Sequence, residues 1–270
     1  MTTFTLTVDV EPDAVYPTWK TSSPITFNGV FEGVSILQNL VSQFNVNVTY
    51  FIQPIILYDN KCVNFFSNLK GEFELATHLH GDYIEPSSRY SGPDFSGCDP
   101  HDKQIEYTQK IEFAKMKNLT LLFHEKFGYN PVSFRAGRFG SGKNTCNILK
   151  ALGYTHDSSV VPGHKQFKKQ INLNPYMQDG VIEVPVTCFK GRWLRPTPGY
   201  SSGVQMKELI ESLPITNFCC MFHNVELVPG MSPYCKTKNE CILLIDALSS
   251  LFEYCVNKNI NFLSLSKIKI

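Results

Sequence analysis

Phe4-Thr5-Leu6-Thr7-Val8-Asp9-Val10-Glu11 is the most informative stretch of the chain. From Thr3 to Val8 it is β-branched and apolar, which predicts a buried strand. Side chains two apart on a strand point to one face. Asp9 and Glu11 therefore leave the end of that strand in the same direction. Two carboxylates so placed are costly unless a cation, a proton or a basic partner neutralises them. A capping or turn role before Pro12 suits Asp13 but does not account for Asp9.

Strand and helix signals alternate along the rest of the chain. After a Pro-rich loop at 12–29, Val30, Phe31, Val34, Leu37, Leu40, Val41 and Phe44 recur at helical spacing. Further strands are expected at 46–53, 72–77, 131–134, 154–157, 181–184, 217–222 and 260–265. Helices are expected at 59–69, 104–127, 143–152, 204–213 and 239–256, the fourth of the strands being followed by a helix that Gly153 stops. Five prolines between 160 and 203 predict irregular structure with a hairpin. About seven strands with intervening helices mean a parallel sheet, open or closed. Asp9, His78, Arg135, Asp157 and His223 all fall at or just past predicted strand ends. In a β/α barrel those ends meet around one mouth.

Totals narrow the classes. The chain has 270 residues, 43% of them hydrophobic, enough for one domain of α/β-barrel size. Its formal charge of +1, without a long basic run, points away from nucleic acid and anionic membranes. Lys165, Lys168 and Lys169 read as a solvated loop. The nine cysteines include no Cys-x-x-Cys pair, and several sit in apolar runs such as Phe218-Cys219-Cys220-Met221-Phe222. They read as reduced core residues. No signal peptide or membrane span is visible, and the expected location is the cytoplasm.

The chemistry rests on a few side chains. His78 and His80 are two apart, so an extended strand end turns both imidazoles to one side. Two histidines and a carboxylate form a catalytic zinc set with one position open for water. Bound zinc lowers the pKa of that water to about 7. Arg135, within Ser133-Phe134-Arg135-Ala136-Gly137-Arg138-Phe139-Gly140, can hold a carboxylate ionised and oriented. Arg138 beside it suits a loop salt bridge or a substrate contact. His223 follows the most apolar strand and suits either proton donation to a departing amine or a buried hydrogen bond. Glu183 reads as a buried supporting acid. Trp19, Trp193, Tyr83, Tyr90 and Tyr200 lie in predicted loops and could stack on sugar rings or anchor local packing.

Taken together, these segments resemble the NodB-like polysaccharide deacetylase family: acids on the first strand, a His motif on the third, an Arg motif on the fourth and a His on the penultimate strand. The resemblance spans nearly the whole chain and implies one catalytic domain, residues 1–270. It implies a distorted (β/α) barrel of about seven parallel strands and metal-dependent removal of N-acetyl groups from an amino-sugar-containing carbohydrate. By motif position Asp9 resembles the base, His223 the acid and Arg135 the residue that orients the base. Glu11, His78 and His80 resemble the ligands of a divalent metal, most simply Zn2+. Metal-bound water would attack the amide, Asp9 would take its proton and His223 would protonate the leaving nitrogen. Substrate contacts fall to Arg138, Tyr83 and Trp193. The chain departs from the family where adjacent aspartates become Asp9-x-Glu11, where His-x-x-x-His becomes His78-x-His80-x-Asp82, and where Arg-x-Pro-Tyr becomes Arg135-Ala136-Gly137-Arg138. Asp82 is thus an alternative metal ligand. The runner-up reading is hydrolysis of another non-peptide C–N bond in a small molecule, possible without metal. A third is a barrel that binds carbohydrate without catalysis.

Overall fold

Alternate residues of the first strand divide the molecule into two layers. Phe4, Leu6, Val8 and Val10 join the main apolar core under the helices. Thr5, Thr7 and Asp9 point the other way, into the interior of a curled sheet, and are also buried. Phe51, Ala76, Val184, Cys219 and Met221 line a second, smaller core. The computed structural model describes residues 2–88, 103–164, 167 and 171–270. Tyr90, Cys98, Lys165, Lys168 and Lys169 lie outside the described residues.

The first half of the chain runs β1 (Thr3–Val10), α1 (Val34–Phe44), β2 (Val48–Ile52), α2 (Pro54–Tyr58), α3 (Asn60–Ser67), β3 (Phe73–Leu79) and α4 (Gln109–Phe127). Next come β4 (Ser133–Ala136), α5 (Thr145–Ala151), β5 (His156–Asp157), β6 (Tyr176–Gln178) and β7 (Val181–Glu183). The chain ends with β8 (Cys188–Phe189), β9 (Arg192–Trp193), α6 (Gly203–Ser212), β10 (Asn217–His223), α7 (Lys238–Asn257) and β11 (Asn261–Phe262). Seven strands run parallel in the order β10-β1-β2-β3-β4-β5-β7. An antiparallel β6 lies at one edge, and β11 pairs with the start of β1.

This is the distorted β/α barrel that alternation predicts. Among the described residues its ladder does not close. The segment after β7 spans the gap instead: the Val186 amide donates to Val160 O, and the Thr187 amide donates to Cys219 O, both at 2.9 Å. Two hairpins lie within 160–203: β6–β7, which contains the strand expected at 181–184, and β8–β9.

Local chemistry sets the helix boundaries. Asp59 caps α3 by accepting from the Cys62 amide, and Thr108 caps α4. The helix expected from 104 therefore starts at Gln109, after a separate 3₁₀ turn at Gln104–Glu106. α2 was not expected. α2 is one short apolar turn begun by Pro54, and β6 borrows its order from β7. The eight described cysteines are free and buried. Among the described residues no helix is long and apolar enough to cross a membrane.

Leu6 is fully buried between sheet and helices, whereas Leu121 on α4 is 56% exposed. Leu6→Ala should cost about 2–5 kcal/mol in a urea unfolding titration. Leu121→Ala should cost less than about 0.5 kcal/mol.

Candidate active site

Strand register brings the chemistry together. Asp9 on β1 lies opposite His223 on β10, and His78 on β3 lies opposite Arg135 on β4. At the centre is Arg135, which is fully buried. Its Nη1 donates to Asp9 Oδ1 at 2.7 Å, and its Nη2 donates to Thr7 Oγ1 and Ser158 Oγ at 2.9 Å. Its Nε donates to Ser158 O at 2.9 Å, and the guanidinium stacks 4.3 Å from the Phe51 ring. Burial pushes the Asp9 carboxyl up, but Arg135, His78 and His223 outweigh it and hold its pKa below the usual value.

Beside Asp9, three ligand atoms converge. Glu11 Oε1 lies 3.3 Å from His78 Nε2 and 3.0 Å from His80 Nε2, and the two ring nitrogens are 3.2 Å apart. His80 follows β3 in extended backbone, which is why both rings share one side. His78 Nδ1 is 3.0 Å from Arg135 O. A carbonyl only accepts, so Nδ1 carries a proton and Nε2 is the nitrogen that would ligate a metal. Glu11 sits well below its usual pKa; burial opposes this, and the two imidazoles more than offset it. Burial alone would lower both histidines. Asp9 and Glu11 reverse that for His78, whereas His80 stays lowered.

This donor set fits a divalent ion. Tetrahedral coordination at 2.0–2.1 Å spaces ligand atoms about 3.3 Å apart. Among the described residues Glu11, His78 and His80 are the group of three that could hold a metal. Asp82, the alternative ligand, instead faces Arg138 at 3.8 Å. Gly137 makes the packing possible. A Cβ there would stand 2.5 Å from Leu79 O and 2.7 Å from His80 Cδ2. The two residues after it, Arg138 and Phe139, both take left-handed backbone at φ 53°. Non-glycine residues pay of order 1 kcal/mol each for that conformation, and such strain clusters at functional sites.

On the other flank, His223 Nδ1 lies 2.7 Å from Glu226 Oε1, which also accepts from Arg195 Nη2 at 2.7 Å. Thr197 Oγ1 donates to the second Glu226 oxygen. Burial raises the Glu226 pKa, but Arg195, His223 and Thr197 together bring it below its ordinary value. Arg195 is itself buried under Tyr200 and Tyr234, 4.2 and 4.9 Å from their rings. Trp19 covers His223 at 4.5 Å between ring centroids.

Of the expected substrate contacts, Trp193 lies between Phe139 and Tyr200, 5.9 Å from each. The Arg138 side chain is 25% exposed at the rim. Tyr83 does not present a face: it is 1% exposed, and its hydroxyl shares a 2.7 Å hydrogen bond with Thr21. It anchors the loop after β1. Sequence reasoning missed Arg195 and Glu226. A Glu three residues after His223 was the available signal; Arg195 lies in the Pro-rich stretch and had none.

No protein-family model matches the chain, and no curated protein matches it. Solved structures share its fold, several of them polysaccharide or peptidoglycan deacetylases. A peptidoglycan N-acetylglucosamine deacetylase is 13% identical with a TM-score of 0.52, over 97% of this chain and 86% of that one. An allantoinase is 12% identical with a TM-score of 0.59, over 97% and 87%. A GH57-type branching enzyme from the archaeon Pyrococcus horikoshii is 10% identical with a TM-score of 0.60, over 98% and 69%. The resemblance to NodB-like deacetylases thus holds at the level of fold, and that fold also serves other reactions.

Two outcomes follow from this geometry. The full chain should take up one divalent ion per molecule by calorimetry; Glu11→Ala or His78→Ala should abolish uptake, and Asp82→Asn should leave it intact. The lowered Glu226 pKa means that its pairing stabilises the fold above the ordinary carboxylate value. That stabilisation is lost as pH falls through the lowered folded value. The thermal midpoint of Glu226→Gln should therefore fall less than wild type between about pH 5 and 3.

Proposed function

We propose that the chain is a metal-dependent hydrolase that removes N-acetyl groups from an amino-sugar-containing carbohydrate or sugar precursor. One observation carries the reading. The Glu11, His78 and His80 ligand atoms converge beside an arginine-held carboxylate, with Asp9 Oδ2 3.8 Å from His78 Nε2, and strand register sets the glutamate-held imidazole of His223 next to Asp9. That gathers a candidate base, cation site and acid at the ends of neighbouring strands.

Each residue then has a task. A divalent ion, zinc by its nitrogen and oxygen ligands, would polarise the amide carbonyl and activate water. Arg135 fixes one Asp9 oxygen and keeps the group ionised, leaving Oδ2 to accept the proton of the attacking water. Glu226 accepts from His223 Nδ1, so Nε2 is the nitrogen that gives a proton to the departing amine. Trp19, Tyr234, Tyr200 and Trp193 follow one another edge to face at 5.6, 5.6 and 5.9 Å. This arc offers flat apolar surface to a sugar ring, and Arg138 offers a cation at the rim.

A second reading is hydrolysis of another non-peptide C–N bond in a compact molecule. It is favoured by burial: Asp9, His78 and His80 are 3%, 2% and 5% exposed, and Trp19 lies over His223. An acetate-release assay on the zinc-loaded chain, run on N-acetylated monosaccharides and oligosaccharides, separates the two. Release from any of them supports deacetylation, and none in any metal state overturns it. Asp9→Asn and His223→Ala should each lower turnover by about 10²–10⁴ while ligand binding persists. Unchanged turnover in both variants would refute the assigned roles.

A further inference from the structure

Behind Arg135, two acids face each other across neighbouring strands. Asp157 on β5 is in register with Glu183 on β7, and each is 1% exposed. Ser159 Oγ donates to Asp157 Oδ1 at 2.5 Å, and the Val160 amide donates to Glu183 Oε1 at 3.0 Å. Glu183 Oε2 is buried and receives no hydrogen bond. A carboxylate oxygen left so would be costly, whereas a protonated one is a donor, and Asp157 is the acceptor beside it.

We propose that Asp157 and Glu183 are positioning residues that share one proton and thereby keep Arg135 committed to Asp9. The proposal rests on the assignment of Asp9 as the base. Ser158, between Asp157 and Ser159, gives Arg135 two of its acceptors, the carbonyl and the hydroxyl. Ser159 Oγ accepts from the Ala136 amide, next to Arg135, at 2.9 Å. The end of β5 thus grips Arg135 by side chain and its neighbour by backbone, and the acid pair holds that end against β7.

Charge explains the need for one proton. Among the described residues, Asp9 is the acid in ion-pair contact with Arg135. With both further acids ionised, a second full anion would compete for the same guanidinium in a medium where such competition is strong. Among the described residues, the other titratable and charged groups around the pair place no cation within ion-pair distance of it. Cys146 faces the pair from α5, with Asp179 and Glu112 beyond it. Tyr176 is opposite Glu183 on β6, and His156 on β5 is turned to Ile268 O. Lys150 of α5 lies over Gly180. Burial pushes Asp157 up to about 6 and Glu183 well above its usual value, with the neighbouring acid adding to the second shift.

The test needs no turnover. A raised folded pKa gives stability that is complete below the unfolded value and is lost as pH rises through the folded one. The wild-type thermal midpoint should therefore fall as pH rises from the ordinary carboxylate range through about 6 and beyond. Glu183→Gln keeps a donor toward Asp157 without a titrating proton, and its midpoint should fall less. NMR exchange of the Arg135 Nε proton gives the positioning readout. It should stay slow in wild type and in Glu183→Gln. In Glu183→Ala it should be at least about tenfold faster, while amides of β1 keep their protection. An equal fall with pH in wild type and Glu183→Gln overturns the shared proton. Unchanged Arg135 exchange in Glu183→Ala overturns the positioning role, and should that variant not fold, the Glu183→Gln comparison decides. Inactivity of the chain on every acetylated sugar would count against the proposed function and leave both readouts intact.

Discussion

A guanidinium with no exposed surface organises this molecule. Arg135 cannot lose its proton, so a fully buried position obliges the fold to surround it with acceptors. Asp9, Thr7 and Ser158 meet that demand from β1 and from the segment after β5. These partners are far apart in sequence, so the charge can be satisfied only when the barrel is assembled. Removing one side of such a pair leaves a buried charge alone, which is far costlier than the pair is favourable.

The same constraint explains why the other acids sit where they do. Asp9 is paired with Arg135 and Glu226 with Arg195, Glu11 stands within 3.3 Å of two imidazole nitrogens, and Asp157 with Glu183 shares one proton. Each carboxyl at the mouth has a different answer to the same desolvation cost. Asp9, Glu11 and Glu226 are thereby held below the ordinary carboxylate value, and the buried Asp157–Glu183 pair above it.

Much of the frame was legible because strand and helix periods depend on local pattern. The first strand, the third with His78 near its end and the tenth ending in His223 are where apolar runs placed them, and side-chain parity alone set Asp9 and Glu11 on one face. What could not be read were partnerships made across the barrel. Arg195 comes from a stretch between prolines without periodicity, yet it reaches Glu226. Tyr83 looked like a mouth aromatic, but its environment is fixed by Thr21, 62 positions away. Asp82 had the spacing of a ligand, but the left-handed turn after Gly137 brings Arg138 to it.

The sequence by itself determined the alternation of strands and helices, the inward face of the first strand and the kinds of side chain that collect at strand ends, because these follow from two-residue and 3.6-residue periods. Tertiary structure alone decided which of those side chains touch. Distances of 3.0–3.3 Å among Glu11, His78 and His80, and the pairing of Asp157 with Glu183, arise from the register of strands distant in the chain. Register is set by the whole packed barrel, since a shift of one residue turns every side chain to the opposite face.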